Sequence, residues 1–537
     1  MKITALVSLL FLFVFALSSC GGSGTILADK GTFKAVGYPF ENPQSQADGK
    51  MVAISPNAFI VVSHFELDDS VRFVAYASDS MDVLWRSAAP MHKDEEVDYN
   101  ALYIESGNLV VFTNRKSKDT VYYCARMVDI KSGKAGDSKV LIKATPDEYG
   151  CGYLEPHFGN RTGIRQQHIF VQFDPEKTHN LFNPAFSPDS SKLLLFAIGK
   201  DALKTEHTSS VNADVLILDR NLTVLKRATS TFLLPADSGY ARGFGIDNSG
   251  NVYLSIFHEG GDLITVKQFA ILGDGHLSVL RNEHPQNLND KVDQDDIGIA
   301  LSRSGKVYVA SLLKPKEGWF PNRTSANFIL SVSRYDFGTG TITNGATRID
   351  DDTAKKLFNE TMFYSPQIEK TIVDENLGRV VVLLQQTGAK GGANWMFGMR
   401  EPIPNYEDFL GNILISAHSL EGTHLWFDGI RDFEWNPVKA RYFRHGYTSW
   451  ITGDTLSIFH RDGFYLCDEF DLRTGARLTP DIPASSDDPG GLRLLDFHDV
   501  DHYPWDGCRL SDTTEVFLSG MPIQNRPMSI VKVMMPR

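Results

Sequence analysis

Ala185-Phe186-Ser187-Pro188-Asp189-Ser190-Ser191-Lys192 runs directly into Leu193-Leu194-Leu195-Phe196-Ala197. A short apolar segment meets a cluster of turn formers and then a strand-forming run. Asp and Ser side chains hydrogen-bond the backbone a few residues on, and Pro presets φ for a turn. Bulky apolar residues suit a pleated, half-buried strand. The stretch therefore reads as a β-hairpin.

The pattern recurs along the chain. Gly245-Ile246-Asp247-Asn248-Ser249-Gly250-Asn251 leads into Val252-Tyr253-Leu254-Ser255-Ile256, and Ala300-Leu301-Ser302-Arg303-Ser304-Gly305-Lys306 into Val307-Tyr308-Val309-Ala310-Ser311. Asp374-Glu375-Asn376-Leu377-Gly378-Arg379 precedes Val380-Val381-Val382-Leu383-Leu384. Weaker copies stand at Ser55-Pro56-Asn57, Glu105-Ser106-Gly107-Asn108, Thr452-Gly453-Asp454-Thr455 and Ser511-Asp512-Thr513-Thr514. A second turn follows in most units, as at Asp129–Gly133, Asp336–Gly340, Ser419–Gly422 and Asp471–Gly475. Two turns per unit give about four strands, which is one blade of a β-propeller. The expected fold is all-β: a single propeller of eight four-stranded blades over residues 33–537 with long loop insertions, seven blades being the alternative count. Phe33-Lys34-Ala35-Val36 would complete the last blade and close the ring, leaving no open sheet edge. The competing architecture is a pair of β-sandwiches.

Two short motifs carry a resemblance. Phe186-Ser187-Pro188-Asp189 resembles the turn of TolB-like and WD-like propeller repeats. Asp82-Val83-Leu84-Trp85-Arg86 and Gly422-Thr423-His424-Leu425-Trp426 resemble the repeat step of quinoprotein-type propellers. With seven Trp in the chain, regular tryptophan docking is not expected, and neither is a quinone or any other cofactor.

The first residues, MKITALVSLLFLFVFALSSC, place Lys2 before an apolar stretch from Ile3 to Leu17. That stretch is short of the about 20 residues a membrane span takes and has the form of an export leader. Leu17-Ser18-Ser19-Cys20 resembles the lipobox of bacterial lipoprotein precursors. The resemblance implies a signal peptide over 1–19, acyl chains on Cys20 and a flexible lipidated tether over 20–32 that begins Gly21-Gly22-Ser23-Gly24. Gly21 favours the outer membrane, on either its periplasmic or its surface side. An ordinary secretory signal with an incidental Cys is the alternative.

Cysteine usage fits export. Apart from Cys20 there are Cys124, Cys151, Cys467 and Cys508, which allow three pairings; sequence proximity favours Cys124–Cys151 and Cys467–Cys508. The formal net charge of −13 and the lack of any Lys/Arg block exclude nucleic acid as a partner.

Chemistry is sought in the long insertions, read at 146–182, 345–369, 387–411 and 429–447. The second holds Thr353–Glu360, which reads as a short capped helix. The last two carry Trp395, Phe397, Tyr406, Trp435, Tyr442, Phe443 and Tyr447 among Gly, Asn and Arg. Aromatics with Arg neighbours suit a protein interface or a sugar-stacking platform, and equally the packing of loops onto blades. His498, Asp501 and His502, with Asp499 and Asp506 nearby, form the densest polar cluster and the candidate metal ligands. Asp293-Gln294-Asp295-Asp296-Ile297-Gly298 faintly resembles a calcium loop but lacks its closing Glu, and reads better as an acidic turn before a strand. No G-x-S-x-G, P-loop or H-E-x-x-H motif occurs. The sequence therefore favours a binding or scaffold protein for a protein or glycan partner, broadly similar to the propeller lipoprotein of the outer-membrane barrel-assembly machinery. The alternatives are a propeller hydrolase or lyase acting on extracellular carbohydrate through channel carboxylates, and a metal-dependent lyase or sensor using His498 and His502.

Overall fold

The computed structural model describes residues 25–29, 34–39, 49–65, 69–93, 95–98, 102–117, 120–144, 183–198, 211–232, 239–258, 264–271, 277–283, 292–315, 327–358, 366–390, 407–431, 434–435, 447–461, 465–479, 504–511, 514–519 and 529–534. These form eight antiparallel sheets, numbered I to VIII here, and one helix among the described residues. Sheet I comprises Gly49–Ser55, Ala58–Phe65, Ser70–Ala77 and Val83–Pro90. Sheet II has Glu95–Val97 and Tyr103–Glu105 along one edge, then Asn108–Ser117, Thr120–Asp129 and Lys139–Ala144. Sheet III is Asn183–Phe186, Lys192–Ile198, Val211–Asp219 and Val224–Phe232, and sheet IV is Gly239–Ile246, Val252–His258, Ile264–Ile271 and Leu277–Glu283. Sheet V is Val292–Leu301, Val307–Pro315, Asn327–Asp336 and Thr341–Asp350. Sheet VI is Pro366–Asp374, Arg379–Lys390, Glu407–Ser419 and His424–Ile430, with Glu434–Trp435 added, and sheet VII is Tyr447–Thr452, Thr455–Arg461 and Tyr465–Asp471. Sheet VIII joins the chain ends, in the order Pro504–Ser511, Thr514–Ser519, Ser529–Met534, Lys34–Pro39, Thr25–Asp29. Four strands per sheet is thus the common pattern, with three described in VII and five in II, VI and VIII.

The sheets pack in chain order through strips of apolar side chains. Ile60 and Phe73 of sheet I meet Leu109 and Val111 of II, and Phe112 and Tyr123 of II meet Leu193 and Leu216 of III. The series ends with Val516 and Ile530 of VIII against Met51 and Val61 of I. Such strips distribute the hydrophobic stabilisation, about 1.5–3 kcal/mol per fully buried large side chain, over many contacts. First strands of neighbouring sheets also lie side by side, as Gly49–Ser55 does on Pro504–Ser511. They form the inner edge of a propeller-like arrangement. Lys34–Pro39 pairs with Ser529–Met534 from Lys34↔Met534 to Pro39↔Ser529, as expected for Lys34-Ala35-Val36. Thr25–Asp29 then pairs with Lys34–Gly37, so part of the stretch read as tether over 20–32 is a strand.

All eight turn markers read from the sequence join the first strand of a sheet to its second. The second set of turns lies on the same rim, after the third strands. Asp247 shows why these residues recur. Its Oδ1 accepts the N–H groups of Ser249 (2.8 Å) and Asn251 (2.9 Å), and its Oδ2 accepts the Tyr253 hydroxyl (2.8 Å). Gly250 completes that turn at φ 89°. Neighbouring turns are also tied together. Asn248 accepts the Asp189 N–H at 3.0 Å and donates to the Arg303 carbonyl at 2.8 Å, while Glu375 accepts from Ser304 N at 3.0 Å. Antiparallel pairing puts the ends of strands Lys139–Ala144, Lys192–Ile198, Val307–Pro315 and Arg379–Lys390, and the starts of Asn183–Phe186, Val211–Asp219, Asn327–Asp336 and Glu407–Ser419, on the opposite rim.

Two tryptophans dock between sheets. Trp85 of sheet I lies on Gly133 in a turn of sheet II, where a Cβ would stand 2.5 Å from the indole, and its Nε1 donates to the Ile130 carbonyl at 2.9 Å. Trp426 of sheet VI lies on Gly475 of sheet VII in the same way, but its Nε1 is buried without a partner. Docking is thus present at the two L-W motifs.

Several sequence expectations are corrected. Residues 345–369 are not an insertion: they complete strand Thr341–Asp350, form helix α1 (Asp351–Phe358) and begin strand Pro366–Asp374. The helix starts two residues before the expected Thr353 because Asp350 caps it, accepting the Thr353 N–H at 2.9 Å. Parts of 387–411 and 429–447 are also regular, since strands extend to Lys390, resume at Glu407 and run to Ile430. Asp293–Gly298 lies inside strand Val292–Leu301, bulged between Gln294 and Asp296, and is neither a calcium loop nor a turn.

Candidate functional site

Among the described residues, buried carboxylates at the inner edge stand out in sheet II. Glu95 (3 % exposed) and Asp98 lie where its first strand starts, at the rim that carries the long connections. Glu95 pairs with Arg115 and Val97 with Thr113, which brings the polar end of Asn108–Ser117 alongside. Thr113 donates its hydroxyl to Glu95 Oε1, and the backbone N–H of His92 donates to Oε2 at 2.9 Å. The Tyr123 hydroxyl donates to Asp98 Oδ2 at 2.8 Å. Burial, reinforced by Asp98, pushes the Tyr123 phenol well above its ordinary pKa and keeps it a proton donor. Both Glu95 oxygens are engaged by fixed donors, an arrangement that holds the strand start in place.

The outer part of this cluster is better suited to recognition. Arg115 donates from Nη1 to His92 Nε2 at 2.8 Å, and its guanidinium lies 4.8 Å from the Tyr122 ring centroid. His92 is exposed, so this Arg–Tyr–His patch offers a cation and aromatic surface at the long-connection rim. Arg115 and Tyr122 come from two paired strands and His92 from the connection before Glu95–Val97, and the regular hairpin pattern of the sequence concealed the patch.

Of the sequence-derived candidates, Cys20, Cys151, Trp395, Phe397, Tyr406, Tyr442, Phe443, His498, Asp501 and His502 lie outside the described residues. Trp435 is in the short strand Glu434–Trp435, paired with Phe409. Tyr447 opens strand Tyr447–Thr452 opposite His460, so it belongs to the inner edge of sheet VII and not to a loop. Cys124 is a free thiol, 1 % exposed, in the middle of strand Thr120–Asp129, with burial first of all raising its pKa. Cys467 is in strand Tyr465–Asp471 and Cys508 is half-buried between sheets VIII and I; no disulfide occurs among the described residues. No group of three or more His, Cys, Asp or Glu residues arranged to hold a metal ion occurs among them either.

No family model and no curated protein matches the chain. Solved structures with a loosely similar fold include the WD40 domain of SCAP from fission yeast, 10 % identical, covering 95 % of this chain and 99 % of that one at a TM-score of 0.38. Sqt1 of Chaetomium thermophilum, bound to the N-terminus of a ribosomal protein, is 10 % identical over 92 % of this chain and 98 % of its own, with a TM-score of 0.40. The polysaccharide lyase Uly1 is 8 % identical, covering 91 % and 90 %, with a TM-score of 0.35. The propeller-like assignment itself rests on the eight sheets, their turns and their packing.

Proposed function

We propose that the chain is an exported, lipid-anchored propeller of eight blades, one per sheet, that binds a protein or glycan partner at the bacterial outer membrane. The observation that carries this reading is the asymmetry of the two rims. One rim carries short, cross-linked turns; at the other, strand Arg379–Lys390 ends and Glu407–Ser419 begins, with Trp395, Phe397 and Tyr406 between them in sequence. Elaborated loops on a rigid scaffold are where binding surfaces concentrate. The anchor fits the same geometry. Thr25 pairs with Gly37, near the end of Lys34–Pro39 that belongs to the long-connection rim. Residues 20–24 span at most roughly 17 Å, so acyl chains on Cys20 would hold that rim close to the membrane.

The test is recovery of partners from solubilised outer membranes with the wild-type chain and with 391–406 and 436–446 shortened. Loss of the partner set in the shortened chains is expected; an unchanged set overturns the choice of interface. Cys20→Ala should release the protein into the soluble fraction, and persistent membrane association overturns the lipid anchor.

The second reading, a carbohydrate-acting enzyme, rests on Glu95 and Asp98 at the inner edge. Turnover of an oligosaccharide lost in Asp98→Asn would support it. Release of no product by the wild-type chain would remove it.

A further inference from the structure

We propose that the inner edge between sheets VI and VII binds a hydroxylated carboxylate, a sugar acid in chemical class, through Lys370, Gln385 and Ser449. This goes beyond the docking role of the rim, since it requires neither the lipid anchor nor the long connections.

Lys370 stands on the first strand of sheet VI and Ser449 on that of sheet VII, each at the edge of its sheet. The Lys370 ammonium reaches across the gap to the carbonyl and hydroxyl oxygens of Ser449, both at 3.3 Å. These are long, neutral contacts for an ammonium ion, and no carboxylate is ion-paired with it among the described residues. Both residues retain partial exposure. Desolvation lowers the Lys370 pKa from 10.5 to about 8, which leaves it mainly cationic at neutral pH.

Gln385 supplies the second, independent observation. It is 0 % exposed, and both its Oε1 and its Nε2 lack a partner. A buried amide with neither end bonded is rare in folded proteins and calls for an explanation. Its position agrees with that of Lys370. Val381, Leu383 and Gln385 alternate along one strand, and the first two pack with Leu456 and Ile458 of sheet VII. Lys370 pairs with Leu383, and Ser449 pairs with Ile458. Lys370, Gln385 and Ser449 therefore lie on the facing sides of sheets VI and VII, at the margin of their shared apolar strip.

This donor set defines the ligand. The ammonium matches a carboxylate, while an amide that must both donate and accept matches hydroxyl groups, which do both. Neutral sugars lack the first feature and simple carboxylates lack the second.

Calorimetric titration of the purified full chain with D-glucuronate, D-glucose and acetate tests the assignment. Glucuronate should bind at least about tenfold more tightly than either control. Lys370→Met and Gln385→Leu should each weaken glucuronate binding by about tenfold or more. Gln385→Leu should at the same time keep or raise the melting temperature, because it replaces an orphaned amide beside an apolar strip. A purely structural glutamine would not separate the two readouts. Glucuronate binding no tighter than the controls, or wild-type affinity in folded Gln385→Leu, overturns the proposal. Should Lys370→Met not fold, Gln385→Leu alone decides.

Discussion

At one end of the sheets Ser55 is joined to Ala58 across two residues, Thr452 to Thr455 likewise, and adjacent turns are hydrogen-bonded from sheet III to sheet VI. At the other end Ala144 and Asn183, or Lys390 and Glu407, end and begin successive strands far apart in sequence. The same strands serve both ends, so the contrast is not one of fold. Carboxylates with fixed N–H and O–H donors dominate the first rim: Ser132 hydrogen bonds hold Asp129 below the usual carboxylate range, and the Arg473 N–H does the same for Asp471. Fixed hydrogen bonds are thus concentrated on the turn rim.

The sharpest way to break the contrast is to disturb the turn rim where sheets V and VI nearly touch. Gly422 has φ 91°, and a Cβ on it would stand 2.3 Å from the Val332 carbonyl oxygen. On Gly345 a Cβ would stand 2.2 Å from the Gly422 oxygen. Gly345→Ala and Gly422→Ala should each cost about 3 kcal/mol or more in denaturant unfolding. A loss below about 1 kcal/mol would mean that this rim yields easily.

The tryptophan docks come next. Trp426→Ala and Trp85→Ala should each lose about 2–4 kcal/mol. Phe separates them: Trp85→Phe gives up the bond to Ile130 and should cost about 1 kcal/mol more than Trp426→Phe, whose indole N–H has no partner.

A pH titration reaches the turn rim through His418, which is fully buried. Its Nε2 accepts from the Ser416 hydroxyl (2.8 Å), and its Nδ1 donates to the Gly422 carbonyl (3.1 Å). Burial lowers its pKa from 6.5 to about 4. The unfolded imidazole takes up a proton below 6.5 that the folded one refuses until about 4. The contribution is therefore complete above pH 6.5 and lost on descending from 6.5 to 4, by up to about 3 kcal/mol. His418→Gln should flatten stability across that window.

The smallest effect belongs to the other rim. Replacing 391–406 with a short linker between Lys390 and Glu407 should change stability by less than about 1 kcal/mol. A loss comparable to that of Gly422→Ala would erase the distinction between the rims.

Much of the fold was legible because turn chemistry is local. Ser187-Pro188-Asp189 or Asp247-Asn248-Ser249-Gly250 acts within a few residues, and each marker fell between the first two strands of a sheet. Strand Thr341–Asp350 was concealed by Gly345, which looks like a loop residue but is required by the close approach of Gly422. The Arg115, His92 and Tyr122 patch and the Lys370–Ser449 contact were not legible. Arg115 and Tyr122 meet across one hairpin, but His92 joins them from the preceding connection, and Lys370 meets Ser449 only because sheets VI and VII pack together. Cys124 was read through the chemistry of the compartment, while its position in the middle of a strand makes it a small apolar residue in a packed sheet.

Sheet VIII imposes an order in time. Lys34–Pro39 is among the first strands synthesised, yet it pairs with Ser529–Met534, the last. Until that segment emerges, the hairpin of Thr25–Asp29 and Lys34–Pro39 has one edge unsatisfied. Contacts so distant in sequence form slowly, and an exposed strand edge invites pairing with other chains. Loss of Ser529–Met534 should therefore leave sheet VIII split and prone to association.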